Sequence, residues 1–267
     1  PRELVEKLHI PVLPYVVHTE RGDFLDGIET DSDGVLSYIK DGQHQAKSGA
    51  PSVEAYESFF AELLTRSQYI IHITMTSSAS RGFEYASQAA RSFYNVIIVD
   101  SAQLSSGTGL LVLAAYEQLV NQGASVYTVA EKLEALKKRL STSFVMDSTD
   151  YLARSGRISS RVSAFCKALL LHPVIVIKKG RMTVGSIKIG RRSAVWKRYI
   201  RSCLKSGAID RRRLFVTYAG LTPDDLEVIQ EEVNACMHFE EIYFVKASPA
   251  VSINCGPGTF GLLFAYR

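Results

Sequence analysis

The sequence predicts an α/β protein in two parts, and three observations support this prediction. Segments with the spacing of amphipathic helices alternate with short apolar runs almost throughout the chain. This strand–loop–helix order is typical of a parallel sheet with crossover helices. The 267 residues, 46% of them hydrophobic and 22% charged, exceed what one core comfortably holds. We therefore predict a parallel-sheet part over residues 1–155 and a mixed α/β part over residues 156–267.

Helices and strands are predicted to alternate along the first part. Residues 52–65 show the helical pattern clearly, because Tyr56, Phe60 and Leu63 recur at spacings of three and four. Residues 69–75 form a short apolar run followed by a Ser/Gly turn, which is typical of a buried strand. The other predictions are helices over 4–8, 109–121 and 129–140 and one ending at 91, and strands over 11–18, 95–99 and 143–146.

The second part begins after a soft boundary near residues 151–156. Residues 174–189 are predicted to form a hairpin with Lys179-Gly180 at its turn, since an apolar run lies on each side. The other predictions are helices over 159–170, 193–206 and 224–238, strands over 213–218 and 241–247, and a last apolar run over 261–266.

The net charge of +4 does not indicate a nucleic-acid-binding protein. The cations concentrate between residues 188 and 213, where Trp196 and Tyr199 are the only interleaved aromatics. A solvated helix face explains this cluster, with a docking surface for an acidic partner protein as the alternative. The longest apolar run, 168–177, is about half the roughly 20 residues that a membrane-spanning helix needs, so we expect no stable membrane insertion.

Signatures of cofactors and catalysis are mostly absent. The patterns HExxH, GxSxG and GxxxxGK(S/T) do not occur, and the four cysteines include no CxxC pair. GPGTFG at residues 256–261 fits a dinucleotide pattern, but too few residues follow it for the helix and strand of such a site. We therefore expect no cofactor, no independent turnover, and buried thiols in a reducing cytoplasm.

Four loops rich in serine and glycine stand out instead. Loops at the carboxyl ends of parallel strands meet at one crevice, and the N–H groups of helix starts favour an anion there. Serine hydroxyls can donate to a carboxylate without adding a fixed charge. Each loop taken singly is explained by helix N-capping, so the loops alone leave an anion site open. They cover residues 47–52, 76–82, 155–159 and 253–258.

At these loops the sequence resembles the DegV family, in order and spacing, from residue 1 to about 265. FVMDSTDYLARSGRIS at 144–159 is similar to the family's FVVDTLEYLKKGGRIS, and ITMTSSASRGFEYA at 73–86 to ITISSGLSGTYQSA. Three further segments resemble family stretches: AKSGAPSVEAY at 46–56 (PKTSQPSPEDF), VIIVDSAQLSSGTGLLVL at 96–113 (VIDSKSASMGLGLLV) and NCGPGTFGLLF at 254–264 (HVGPGALGIAF).

The resemblance implies a long-chain fatty acid bound between the two parts of the chain. It also implies, in many bacteria, a partner fatty-acid kinase that phosphorylates the acyl carboxylate. Ser48 and Ser80 would be the principal carboxylate contacts, at the positions of the family threonine and of the serine of LSGTY. Ser77 and the N–H groups around Ser78 would be second contacts. Arg157, which matches the arginine of GGRI, would either gate or balance the head group or form a structural salt bridge.

Four departures from the family pattern affect the predicted site and the start of the chain. Asn254, also a predicted ligand contact, replaces a histidine; its amide can hydrogen-bond a carboxylate but cannot titrate. SGAPS at 48–52 has one hydroxyl and one amide fewer than the family's TSQPS. SRGF in place of SGTY sets Arg81 beside the head group, where it supplies a charge or points to water. The family's opening strand is missing, so we expect a start that is truncated, processed or incomplete.

Two other functions stay open at this point. One is an enzyme whose serine loops hold an acidic substrate, although no residue has a visible activating base. The other is a degenerate family member that has lost its ligand and serves in protein interaction. If a fatty acid is bound, the candidates for the tunnel wall, each of which a plain core role also explains, are Phe165, Leu169, Leu170, Phe260 and Leu262.

Overall fold

The computed structural model describes residues 1–154 and 159–267, without the side chains of residues 162, 165 and 167. Its helices are α1 (Arg2–Lys7), α2 (Ser32–Ile39), α3 (Val53–Leu64), α4 (Gly82–Ala89), α5 (Ser106–Tyr116), α6 (Val126–Lys137), α7 (Asp150–Arg154), α8 (Ser160–Ala168), α9 (Arg192–Leu204), α10 (Pro223–Cys236) and α11 (Pro249–Cys255). Its strands are β1 (Val16–Thr19), β2 (Gly22–Leu25), β3 (Ala46–Gly49), β4 (Ile70–Thr74), β5 (Val96–Asp100), β6 (Leu140–Val145), β7 (Leu171–Lys178), β8 (Arg181–Ile189), β9 (Arg213–Ala219), β10 (Glu241–Lys246) and β11 (Thr259–Ala265).

The largest sheet has six strands in the order β10-β9-β11-β6-β7-β8. β9 and β10 run parallel, and every other neighbouring pair runs antiparallel. Helices α9 and α10 cover the sheet, and the core between them includes Trp196, Phe260 and Leu262, each at most 2% exposed. The last apolar run of the chain therefore forms β11, a central strand of this sheet.

Strands β4 and β5 form a separate parallel pair with helices on both sides. Ile70 of β4 packs against α3 and α4, whereas Val99 of β5 packs against α5 and α6. Successive side chains of a strand point to opposite faces, which explains how two short strands serve two cores. Because the strands are parallel, the loops after β4 and β5 leave the sheet at the same edge.

Strands β2, β1 and β3 form a small antiparallel sheet beside α2 and α11. Val17 of β1 is buried with Leu36 of α2 and Ile253 of α11. Ser32 and Ser252 link the two helices through a buried hydroxyl–hydroxyl hydrogen bond of 2.7 Å. This sheet and α11 therefore form one unit, although α11 begins 200 positions after the last strand of the sheet ends.

The prediction of an α/β fold is confirmed, and its details differ in three places. The parallel sheet of the first part has only two strands, and β6 pairs with β7 and β11 of the large sheet instead. Strands β2 and β3 were not predicted, because each is only four residues long and has no alternating apolar pattern. Helices α2, α7 and α11 were not predicted either, although Asp31 caps α2 by accepting from the N–H of Gly34. The predicted boundary between residues 155 and 156 lies outside the described residues and stays a prediction.

The predicted hairpin is confirmed by the pairing of β7 with β8. Its two turn residues, Lys179 and Gly180, have φ values of 50° and 77°. Positive φ at both central residues is the geometry that joins two strands with a two-residue turn.

Part of the basic cluster stabilises the packing of α9 on α10. Arg192 lies 2.9 Å from Asp225, and Arg201 lies 2.5 Å from Glu232, whose side chain is only 6% exposed. None of the helices described is long and apolar enough to cross a membrane.

His72 of β4 is expected to make the stability of the protein depend on pH, because its ring packs against other aromatic rings. The ring centroids of Tyr56 and Phe60 lie 5.3 Å away, and desolvation lowers the pKa of His72 to about 4. The unfolded chain has the ordinary pKa of about 6.5, so it binds more protons as the pH falls through this window. We expect unfolding experiments to show a loss of about 2 kcal/mol between pH 7.5 and pH 5.

His72→Phe is the control for this prediction, since it keeps a ring but cannot titrate. We expect the variant to lose clearly less stability over the same pH range. An identical pH dependence in both proteins would contradict the assignment to His72.

Candidate functional site

A cavity of about 680 Å³ lies where the three sheets meet. The loops after β4 and β5 line it, together with the small sheet and α11. Strands β6, β7, β8, β9 and β11 also contribute lining residues. The volume is in the range of small-molecule sites. Both predicted parts of the chain therefore contribute to the cavity.

Most of the cavity wall is apolar, and it is rich in methionine. Met75, Met146 and Met182 line it, which are three of the four methionines in the chain. Unbranched thioether side chains adapt to ligands of irregular shape. The other large apolar side chains of the wall are Leu104, Phe144, Leu152, Ile175 and Val251.

Ser80, a predicted contact, lines the cavity at the start of α4. Its Oγ accepts from the N–H of Gly82 at 3.1 Å and lies 2.6 Å from the hydroxyl of Tyr15. Burial raises the pKa of Tyr15, which keeps that hydroxyl protonated. When Tyr15 donates to Ser80, both acceptor positions of Oγ are filled and the serine proton is free to donate into the cavity.

Ser48 and Asn254 also line the cavity, on two different elements. Ser48 is on β3 and Asn254 is on α11, whereas both residues were predicted to lie in loops. The Asn254 amide donates to the Ala250 carbonyl at 2.9 Å and to Ser48 Oγ at 3.5 Å. The Ser48 side chain therefore keeps its own proton for a ligand.

The strand register brings Tyr15 near the segment that carries Ser48. Val16 of β1 pairs with Gly49 of β3, so Tyr15 comes beside Ala50, two residues from Ser48. We call the group Tyr15, Ser48, Ser80 and Asn254 the polar end of the cavity. It contains hydroxyl and amide donors and no fixed cation.

Ser77 and Ser78 are not among the described residues that line the cavity. The N–H of Ser77 donates to the Asp100 carboxylate at 3.3 Å, and the Ser78 hydroxyl donates to the Gly180 carbonyl. These bonds attach the loop after β4 to β5 and to the β7–β8 turn, and the role of Ser77 and Ser78 as ligand contacts stays a prediction. Arg157 lies outside the described residues, and its role stays a prediction.

Arg81 lies at the rim of the cavity and faces water. Its guanidinium makes a 3.1 Å ion pair with Glu84 and lies over the ring of Tyr85, with 65% of its side chain exposed. The hydrogen bond with Glu84 raises the pKa of Arg81 and lowers that of Glu84. The positive charge of Arg81 is therefore balanced by the carboxylate of Glu84.

The predicted tunnel wall is wrong for four of its five residues. Phe260 and Leu262 are fully buried in the core under α9 and α10, because their side chains point to the opposite face of β11. Leu169 and Leu170 are 50% and 58% exposed. The side chain of Phe165 lies outside the described part of the chain.

Tyr15, His18 and Asp26 line the cavity but were missed. The Asp26 carboxylate accepts from the Ala250 N–H at 2.8 Å, and burial raises its pKa. Nothing local in the sequence marks these residues, since they reach the cavity through the pairing of short strands. Among the residues described, no group of three or more His, Cys, Asp or Glu side chains could hold a metal ion.

A family model described as "Uncharacterised protein, DegV family" matches residues 1–267. The chain belongs to the DegV family. The family membership that the resemblance of five segments indicated is thereby confirmed. A DegV domain-containing protein of Caldanaerobacter subterraneus is 28% identical over an alignment of 271 positions, which covers 99% of this chain and 94% of that protein.

Solved structures of DegV proteins share this fold. A DegV family protein from Thermus thermophilus, described by its fatty acid binding, superposes with a TM-score of 0.87 at 25% identity and covers 100% of this chain and 95% of its own. The fatty acid kinase B3 protein of Streptococcus pneumoniae, loaded with linoleic acid, gives a TM-score of 0.82 at 18% identity, covering 95% of this chain and 90% of its own. The second likeness concerns the fold alone.

Proposed function

We propose that this DegV chain binds a long-chain fatty acid in the cavity and presents its carboxylate to a partner fatty-acid kinase. The observation that carries the proposal is a largely apolar cavity of about 680 Å³ whose lining includes the neutral donors Ser48, Ser80 and Asn254. The Thermus thermophilus relative, whose description reports fatty acid binding, supports the same ligand class.

The acyl chain supplies most of the binding free energy. Burying a methylene stabilises the complex by about 0.8 kcal/mol, so a C16 chain contributes roughly 11 kcal/mol before costs. Ordering the chain and losing translational freedom cost several kcal/mol or more. The flexible methionine side chains allow the wall to follow a bent chain.

The polar end identifies the head group. Ser48, Ser80 and the Asn254 amide offer hydrogen bonds to a carboxylate, and hydrogen bonds to a charged group are the stronger kind. Because these donors are neutral, none of them is left as a desolvated cation when the cavity is empty. Ser48 is exposed, so a carboxylate held there reaches the protein surface, where a kinase can phosphorylate it.

The double variant Ser48→Ala with Ser80→Ala tests the head-group assignment. Removing two hydrogen bonds to a partly exposed carboxylate is expected to weaken binding of a C16 acid about a hundredfold. The measurement is affinity for delipidated protein, together with native mass spectrometry of the co-purified ligand.

Ser67→Ala with Ser92→Ala is the matched control, since both serines are exposed and lie outside the cavity lining. It is expected to bind the acid like the unmodified chain. Equal affinity in both double variants would contradict the head-group assignment, and a chain that binds no fatty acid at all would refute the proposed function.

Presentation to a kinase is tested separately. With ATP and the catalytic subunit of a fatty-acid kinase, acyl phosphate is expected to form only when the loaded chain is present. The loaded chain with ATP alone is expected to form none, because phosphoryl transfer is assigned to the partner. Acyl phosphate production by the chain alone would instead support an enzyme.

A further inference from the structure

A histidine outside the polar end also lines the cavity. His18 is on β1, and its Nδ1 lies 2.7 Å from Oδ1 of Asp23, the residue opposite it on β2. The side chains of His18 and Asp23 are 47% and 66% exposed. The pair therefore lies where the cavity opens to solvent rather than among the apolar walls.

The imidazole of His18 occupies the space that a side chain at position 49 would fill. A Cβ at position 49 would lie 2.4 Å from His18 Nε2, closer than a side-chain carbon can approach. Gly49 lines the cavity directly after Ser48. Because glycine has no side chain, Nε2 of His18 can approach β3, the strand that carries Ser48.

We propose that His18, oriented by Asp23, is a further head-group contact in this cavity and selects a free fatty acid over an uncharged lipid. This inference rests on the proposed function, because it requires the acid end of the ligand to lie beside Ser48. His18 is then a specificity-determining residue, and Asp23 is a positioning residue.

The hydrogen bond to Asp23 determines what Nε2 can do. A carboxylate accepts the Nδ1 proton, so Nε2 of the neutral ring is an acceptor and receives the O–H of a protonated acid. If that proton moves to Nε2, the imidazolium donates the same proton back to the carboxylate. The proton is conserved in either form, and one N···O hydrogen bond is made. A methyl ester has no acidic proton and no charge, so it gains neither interaction.

The test compares myristic acid with methyl myristate on delipidated protein. His18→Phe is expected to weaken binding of the acid about fivefold, a modest effect because the site is half exposed. Binding of the ester is expected to stay within about twofold, since the acyl chain still fills the cavity. Unchanged acid affinity, or an equal loss for acid and ester, would overturn the proposal.

His44→Phe is the matched control. His44 is an exposed histidine of the same half of the chain and stacks on Tyr38, with ring centroids 4.6 Å apart, outside the cavity lining. This variant is expected to leave both affinities unchanged. For the positioning residue, Asp23→Ala is expected to lower the ratio of the affinity for the acid to the affinity for the ester. Asp23→Asn is expected to keep most of this preference, because the amide oxygen still accepts from Nδ1 of His18.

A double-mutant cycle tests the geometry at Gly49. Gly49→Ala is expected to weaken binding of the acid selectively, because the added methyl group displaces the imidazole. In a His18→Ala background the same substitution has no ring to displace and is expected to cost nothing further. Additive losses would show that Gly49 acts independently of His18 and would overturn the proposal.

Failure of this inference is distinguishable from failure of the proposed function. If the unmodified chain binds the acid, and Ser48→Ala with Ser80→Ala weakens it while His18→Phe does not, only the role of His18 is refuted. If the unmodified chain binds neither ligand, both proposals are refuted.

Discussion

Phe260→Ala is expected to lower the free energy of unfolding by about 3–5 kcal/mol. The Phe260 ring is fully buried, with the rings of Trp196 and Tyr199 packed edge-on at centroid distances of 5.3 and 5.4 Å. Neighbours held on a central strand and on α9 cannot close fully over the space that the ring leaves. The truncation therefore costs both buried apolar surface and a cavity.

Urea unfolding measures this effect, with Tyr94→Ala as the control. Tyr94 is 93% exposed, so its truncation is expected to change stability by less than about 0.5 kcal/mol. The milder Phe260→Leu is expected to fold and to keep the affinity for fatty acid, because Phe260 is not among the residues that line the cavity. A loss of affinity in Phe260→Leu without a loss of stability would show that Phe260 does contact the fatty acid.

Gly256→Ala is expected to be the most damaging addition of a single methyl group near the site. Gly256 has φ of 70°, which an L side chain rarely adopts, and a Cβ there would lie 2.2 Å from Cδ2 of Tyr151. Backbone strain and the clash together are expected to cost about 3 kcal/mol. Gly256 directly follows α11, so a shift of this turn also displaces Asn254 from Ser48.

Thermal unfolding and fatty-acid affinity both report on Gly256→Ala. Gly207→Ala is the matched control, since Gly207 has no positive φ and a Cβ there meets nothing within 4 Å. It is expected to change stability by less than about 0.5 kcal/mol. Two variants of equal stability would contradict the assignment of strain to the turn at Gly256.

Much of the secondary structure could be predicted because its signals are local. The helical spacing of Tyr56, Phe60 and Leu63 predicted α3, and the apolar run from residue 69 predicted β4. Likewise, Lys179-Gly180 between two apolar runs predicted the hairpin turn. Each of these signals lies within a few residues of the structure that it determines.

Other elements could not be predicted because their stability comes from distant partners. β3 is four residues long, and it forms because β1 pairs with it and its inner face packs on α2 and α11. α11 has a serine, an asparagine and a cysteine among its seven residues, and it is held by the buried contact of Ser252 with Ser32. The only local signal of α11 is Ser248 followed by Pro249 at its start, and β3 has no local signal of a strand.

By itself, the sequence determined the α/β class, the family, and the prediction that Ser48, Ser80 and Asn254 contribute to one site. The tertiary structure brought these three residues to one cavity, and it showed the hydrogen bonds by which Ser77 and Ser78 attach their loop to β5 and to the β7–β8 turn. It also decided which apolar residues line the cavity and which form the core. A hydrophobic pattern records that a side chain is buried, but only the packing of distant strands and helices decides whether it faces another side chain or an open space.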